Sequence, residues 1–404
     1  MARTNILITG SAGLVGMHVL YELLGELAAG GPTGTIYAVL RPSQADGARG
    51  RLRSLLDNPW MPERLRAAAD AWADRVRPLE ADLRDGPALA RAVRDAVPAA
   101  EPLTIVHCAG SVNLENSGEA AADVADHNVH GTRTLLDSVG GRLERFVHVS
   151  TAYCSGVGQG VVGDDYLGLS GRSYRNPYEE SKARTELELD ARCRQRGIGL
   201  HILRPSIVCG RVMDAPLYYT PKFDVFYGWL RFFWQMRKAG QHGPVRLAIP
   251  ATSTMNVVPV DYVARAIAKA VWCDVGQVNI VSPDPVPTRL VCGAGLACIG
   301  YDDVRFVDAL PADPTRLEEI YAGSVGRLFE AYIDEASTSF SAAGIRSFMD
   351  PVEFPAMLPH LSGIVSFAVD HEFDDRRIVT ARRAAPVVPV PVPQLAGPRA
   401  WEAT

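Results

Sequence analysis

Tyr178 and Lys182 stand four residues apart in Asn176-Pro177-Tyr178-Glu179-Glu180-Ser181-Lys182, a spacing that puts both side chains on one face of a helix. A phenol is a sluggish proton donor at neutral pH, its ordinary pKa being about 10. An ammonium group beside it favours the phenolate, so the pair can act as a proton relay to an oxygen that gains negative charge, as when hydride reaches a carbonyl. The spacing thus predicts a lowered pKa for Tyr178. Thr151, 27 residues earlier, ends Val147-His148-Val149-Ser150-Thr151 and offers a hydroxyl to the same oxygen. A tyrosine and a lysine four apart are common on exposed helices; the elements that precede them single these two out.

The first of those elements is Gly10-Ser11-Ala12-Gly13-Leu14-Val15-Gly16, after the apolar run Ile6-Leu7-Ile8. Glycines three apart allow a tight strand-to-helix turn and close approach of backbone N–H groups to a pyrophosphate at the helix N-terminus. The spacing is GxxGxxG, where the commoner fingerprint is GxGxxG. The second predicted strand ends at Leu40-Arg41. Arg41 suits the 2′-phosphate of NADP(H) through its planar fork of donors, whereas NAD calls for a carboxylate there. Arg51 is either a second cation for that phosphate or an ordinary surface arginine. Asp82-Leu83 follows the third strand, either near an adenine or with Asp82 as a helix cap. Cys108-Ala109-Gly110 follows the fourth and supplies small residues where a cofactor backbone would pass. His107 and Cys108 read as packing residues, and no cysteine–histidine spacing suits a metal.

These motifs need a scaffold that puts them on one rim. Short β-branched runs at Asn5–Thr9, Thr35–Leu40, Val76–Glu80, Thr104–His107 and Phe146–Ser150 alternate with helical stretches at Leu14–Leu27, around Arg49–Asp74, Gly86–Val97 and near Val124–Val139, the pattern of βαβ units. A helix from Tyr178 to Arg196 and a strand Gly199–Leu203 continue it, and Gly156 to Arg175 reads as a loop at the active-site rim. The expected fold is α/β, a doubly wound parallel (Rossmann) sheet whose ligands lie beyond the strands' carboxyl ends. Beyond it come strand-like residues at Thr254–Pro259, a helix near Tyr262–Trp272 and a strand near Val278–Val281. The expected organisation is a cofactor-binding domain over 1–285 with a substrate-side insertion at 213–253. A smaller, mainly helical C-terminal substrate region then covers 286–384, and a Pro-rich tail 385–404.

Nine aromatic residues crowd Tyr218–Trp234. They are either the packed core of a subdomain, the wall of an apolar cleft for an acyl group, or a shallow membrane-contact face. A net charge of −5 with both signs mixed along the chain carries no nucleic-acid footprint. The 7 cysteines are odd in number and scattered, which predicts reduced thiols in a cytoplasmic protein. No apolar run is long enough for a transmembrane segment, and the N-terminus lacks the pattern of a secretory signal.

Taken together the motifs resemble the extended short-chain dehydrogenase/reductase superfamily over residues 5 to 285. The closer resemblance is to its thioester reductase and fatty acyl-CoA reductase branch. Ala38-Val39-Leu40-Arg41, Val149-Ser150-Thr151-Ala152-Tyr153, Leu203-Arg204-Pro205-Ser206-Ile207-Val208 and Asn256-Val257-Val258-Pro259-Val260-Asp261-Tyr262-Val263 carry it, with the Tyr178–Lys182 segment. The likeness implies catalytic roles for Thr151, Tyr178 and Lys182, and puts Pro205, Ser206 and Ile207 beside the nicotinamide. It implies NADPH-dependent reduction of an acyl thioester to an aldehyde, with further reduction to an alcohol as an option. Gly110 departs from the pattern, standing where a second alanine is more usual. The chain carries no carrier-attachment motif, so the expected partner is a CoA ester or a carrier-protein-bound acyl group. Two other readings keep the fold: dehydrogenation of a sterol-like alcohol or conversion of a nucleotide sugar, and a non-catalytic NADPH sensor or scaffold.

Overall fold

The computed structural model describes residues 3–42, 47–68, 72, 74–167, 171–241, 243–309, 312–333 and 338–380; the Pro-rich tail expected at 385–404 lies outside the described residues. Seven parallel strands form the central sheet: β1 (Thr4–Thr9), β2 (Thr33–Leu40), β3 (Val76–Glu80), β4 (Leu103–His107), β5 (Leu143–Val149), β6 (Gly199–Pro205) and β7 (Gln277–Ile280). Their spatial order is β7-β6-β5-β4-β1-β2-β3, so the winding reverses between β1 and β4 and opens a crevice at their carboxyl ends. The inner strands are largely buried on both faces, as parallel strands covered by helices must be, while the edge strand β3 exposes Arg77 and Glu80.

Helix α1 (Leu14–Ala28) packs its Leu20, Leu23, Leu24 and Leu27 into the larger apolar core. The stretch expected as one helix around Arg49–Asp74 is broken into Gly47–Leu56 and the single turn Glu63–Arg66. The segment near Val124–Val139 is likewise divided. An α-helix at Gly118–Val124 runs through a π-helical turn, Ala125–His130, into a second α-helix, Gly131–Ser138. Helix α2 (Pro177–Arg196) has Asn176 accepting from the Glu179 N–H and Pro177 in its first turn, and it stops at Gly197 in the left-handed region. These are the local signals that start and end a helix.

The described part of the stretch from Gly156 to Arg175 is irregular apart from Val161–Val162, and its Arg175 lies over Tyr153 and Tyr332 beside the cavity described below. Val161–Val162 pairs with Ser339–Phe340, and Asp164 accepts from the Asn279 N–H while its carbonyl accepts from Arg204, so the segment seals the β7 edge. None of its described residues is in the lining of that cavity. From 286 onward short helices are joined by extended pieces. Val304–Val307 pairs with Val245–Ala248, and helix Leu361–Asp370 joins the core that begins at Ile6. The aromatic stretch proves to be largely interior: Tyr218, Tyr219, Phe223, Tyr227, Trp229 and Phe233 are buried, with Trp60 stacked on Tyr219 and edge-on to Phe367. Among the described residues no helix is long and apolar enough to cross a membrane.

Candidate active site

β1 delivers the glycine turn. Gly10 has φ of +72°, and a Cβ built on it would lie 2.6 Å from the backbone of Cys108 and Ala109. A Cβ on Gly16 would stand 2.2 Å from the Gly10 carbonyl oxygen. The turn therefore tolerates no side chain at either position, and α1 approaches its own entry loop closely. Gly13, the residue that starts α1, makes no side-chain cap. The Ser11 hydroxyl is buried without a hydrogen-bond partner among the described residues. Unengaged N–H groups and an orphaned hydroxyl at a helix N-terminus fit a diphosphate.

β2 ends at Arg41, which is exposed, and Arg51 donates to the Arg41 carbonyl at 2.8 Å. The two described residues after β2 are Arg41 and Pro42, neither of them a carboxylate. Asp82 is not the cap of the next helix: Asp85 takes that place, accepting from the Ala88 N–H. Asp82 instead holds Arg84 through two side-chain contacts, and this pairing keeps its carboxyl low, at about 2. Leu83 packs against Gly131, 3.6 Å from where a Cβ would sit. His107 sits between the hydroxyls of Thr9 and Thr132, 2.7 Å from each, and burial lowers its pKa to about 3.

The carboxyl end of β5 and the start of α2 bring Thr151, Tyr178 and Lys182 to one cavity. Thr151 begins a short turn, Ala152–Ser155, with its side chain hydrogen-bonded to Tyr178. Lys182 is 6% exposed, and its Nζ donates to the Val149 carbonyl at 2.9 Å. Burial lowers its pKa to about 8. The expected lowering of the Tyr178 pKa is not found. Burial pushes the phenol well up, the Cys154 thiol and Glu179 add to the rise, and the Thr151 hydroxyl is the group that opposes it. A shared helix face set the expectation, but removal from water outweighs it.

Asn128, which sequence patterns missed, ties these parts together. It lies in the π-helical turn, accepts from the Ser111 N–H at 2.8 Å and donates to Ser181 at 2.9 Å, one residue before Lys182. A Cβ on Gly110 would stand 2.8 Å from the Asn128 carbonyl oxygen and 3.5 Å from the Lys182 Nζ. The departure at Gly110 is thus matched by close packing at that point.

All of this opens on a cavity of about 330 Å³ lined by Gly13, Leu14, Val15, Gly16, Cys108, Gly110, Thr151, Tyr178, Lys182, Pro205, Ser206 and Ile207. Gly10, Ser11, Ala12, Ala109, Arg41, Arg51, Asp82 and Leu83 lie outside that lining, on the approaches from β1, β2, β3 and β4. Ser206 is fixed by its bond to Asn256 at 2.7 Å. The remaining wall comes from helix α3 (Phe226–Lys238), helix α4 (Thr288–Cys298) and the turn of helix at Arg327–Ile333. Sequence reading missed Tyr153 and Tyr332 there. Their rings meet edge-on, with the Arg175 guanidinium over both. The wall residues Phe226, Tyr227 and Trp229 belong to the aromatic stretch, which is thus both part of the core and part of the cavity wall.

A glycine turn under a doubly wound sheet, with a tyrosine and a lysine at the end of its fifth strand, defines an extended short-chain dehydrogenase/reductase. Residues 8–267 match the model of the male sterility protein family, an NAD-binding group. The chain belongs to that family, within the thioester reductase branch of the superfamily. It is 28% identical over 295 residues to the L-2-aminoadipate reductase large subunit of Eremothecium gossypii, covering 69% of this chain and 20% of that protein. It is 26% identical over 310 residues to fatty acyl-CoA reductase 1 of Pongo abelii, covering 66% and 54%. The chain therefore spans a fifth of the first relative and about half of the second. The terminal R domain of the myxalamid biosynthetic pathway has the same fold, with a TM-score of 0.68, 22% identity, and coverage of 93% of this chain and 92% of that one.

Proposed function

We propose that the protein is an NADPH-dependent reductase of acyl thioesters, presented as CoA esters or on a carrier protein, that releases an aldehyde. One observation carries this reading: Thr151, Tyr178 and Lys182 border a cavity whose inner wall is mainly apolar, formed by Phe226, Trp229, Leu230, Val291 and Ile333. The Trp229 Nε1 donates to Tyr321 at 3.0 Å, the Tyr227 hydroxyl accepts from the Gly210 N–H at 2.9 Å, and the Thr288 hydroxyl is bonded to Ser253 at 2.8 Å. A sugar bound against this wall would lose more hydrogen bonds to water than the wall returns. An acyl chain has none to lose.

The glycine turn from Gly10 to Gly16 would hold the diphosphate, and Arg41 with Arg51 the 2′-phosphate. Pro205, Ser206 and Ile207 would border the nicotinamide, with Asp82, Leu83 and Cys108-Ala109-Gly110 along the cofactor's path. NADPH supplies hydride to the carbonyl carbon. The Thr151 and Tyr178 hydroxyls donate to the carbonyl oxygen as it becomes negative, and collapse of the tetrahedral adduct expels the thiolate and leaves the aldehyde. A second reduction would take a proton from Tyr178 to the alkoxide. The Lys182 ammonium replaces that proton's charge and holds the cofactor ribose.

Following NADPH absorbance with acyl-CoA, aldehyde and nucleotide-sugar substrates tests the reading. Thioesters should consume NADPH, preferred over NADH, and yield trappable aldehyde. Turnover of nucleotide sugars alone would overturn it, and NADPH binding without turnover of any substrate would favour a sensor.

A further inference from the structure

The cavity is graded in polarity along its length. Among its polar lining residues away from the sheet, Lys222, Asp224 and Thr254 are exposed, whereas Tyr227 and Thr288 are buried. The inner wall is formed by Trp229 and Leu230 of α3, Val291 and Cys292 of α4, and Ile333. All five are buried, with Leu230 and Val291 at 0% and 1% exposure. Their near-complete burial sets them between the cavity and the core, so this wall is apolar and backed by packed protein.

We propose that Leu230 is the stop that limits the length of the acyl group, and that Gly295 sets where the stop stands. The proposal rests on the acyl-thioester reading for the identity of the chain held. Leu230 faces the cavity on one side and α4 on the other. A Cβ on Gly295 would lie 2.7 Å from one Leu230 methyl carbon and 3.2 Å from the other. That contact is closer than real Cβ atoms permit, so a residue larger than glycine at 295 displaces Leu230, and the open space available to it is the cavity. The occupant is an unfunctionalised hydrocarbon acyl chain, because neither a charge nor a free hydroxyl stands among these five residues.

Length preference should then show a limit that both residues move, in opposite directions. Equilibrium binding of straight-chain S-alkyl-CoA thioethers, ethyl to hexadecyl, reads it without any need for turnover. Each methylene buried should tighten binding about fourfold until the stop is reached, after which the gain ceases. Leu230→Ala should move the limit to longer chains and Gly295→Ala to shorter ones. Cys292→Leu, which adds volume from α4 without touching Gly295, should also shorten it and serves if Gly295→Ala does not fold; NADPH binding checks that each variant is intact. A limit that stays in place in intact variants, or affinity indifferent to length, overturns the proposal. Thioethers that obey the shifting limit while the matching thioesters are not reduced would support the gauge and sink the reductase reading instead.

Discussion

Lys182 lends itself to a pH experiment because its charge, not its position, is what titrates. Burial lowers its pKa from 10.5 to about 8. A base with a lowered pKa is charged below that value and loses its proton as pH rises through it. At pH 9 roughly a tenth of the molecules would keep the ammonium, so kcat/KM for NADPH should fall about tenfold per pH unit above 8; an ordinary lysine would hold its charge to about pH 10.4. The Nζ can donate to the Val149 carbonyl in either form, so the neutral side chain stays in place and only the charge is lost. Under saturating NADPH the break in kcat should move upward, because the cofactor's phosphates oppose loss of a nearby positive charge. Lys182→Arg keeps a cation at every pH tested but adds bulk where a Gly110 Cβ would already sit 3.5 Å from Nζ. Its rates should be lower throughout and free of the break. A wild-type break near pH 10, or a break near 8 that survives in Lys182→Arg, would refute the assignment of this charge to the chemistry.

Tyr178→Phe should lower kcat by about 10²- to 10⁴-fold with little change in NADPH affinity, and unchanged turnover would remove the phenol from the mechanism. Gly16→Ala should abolish NADPH binding, read by fluorescence titration, because its Cβ meets the Gly10 carbonyl at 2.2 Å; retained affinity would move the phosphate seat elsewhere. Arg41→Asp should shift preference toward NADH in competitive kinetics, and a preserved NADPH preference would mean that other groups read the 2′-phosphate. Arg204→Met should cost about 3–5 kcal/mol in denaturant unfolding, since it strands the Glu186 carboxylate that Arg204 grips at 2.7 and 2.8 Å with both residues buried. A loss under about 1 kcal/mol would show that this buried ion pair does not hold the fold.

Much of the sheet was legible because its signals are local. β1 to β5 are short β-branched runs bounded by turn residues, and α2 carries its own start and stop at Asn176, Pro177 and Gly197. The order of glycine turn, Arg41, Thr151, Tyr178 and Lys182 could be read for the same reason, since a doubly wound sheet brings strand ends to one rim whatever lies between them. Asn128 could not be read. Its π-helical turn places it between Ser111 and Ser181 only after the register of the helix slips, and no spacing rule announces that slip. The direction of the Tyr178 pKa was also hidden, because helix periodicity says which groups face one another and nothing about how much water remains between them.

The substrate side depends on contacts far apart in the chain, and this explains both its illegibility and its role. Trp60, from the segment after β2, donates its Nε1 to the Ile378 carbonyl, and the Phe223 N–H donates to Asp375. The last described helices are thereby joined to the aromatic stretch. That stretch carries α3, which sets Leu230 against Gly295 of α4 and leaves Trp229 facing the cavity. The residues proposed for the cofactor sit on strand ends whose geometry the sheet imposes, whereas the rest of the cavity wall comes largely from three helices held by long-range packing. Substitutions in that packing can reshape the cavity while leaving Thr151, Tyr178 and Lys182 in place, so what is reduced and how it is reduced can vary independently in this fold.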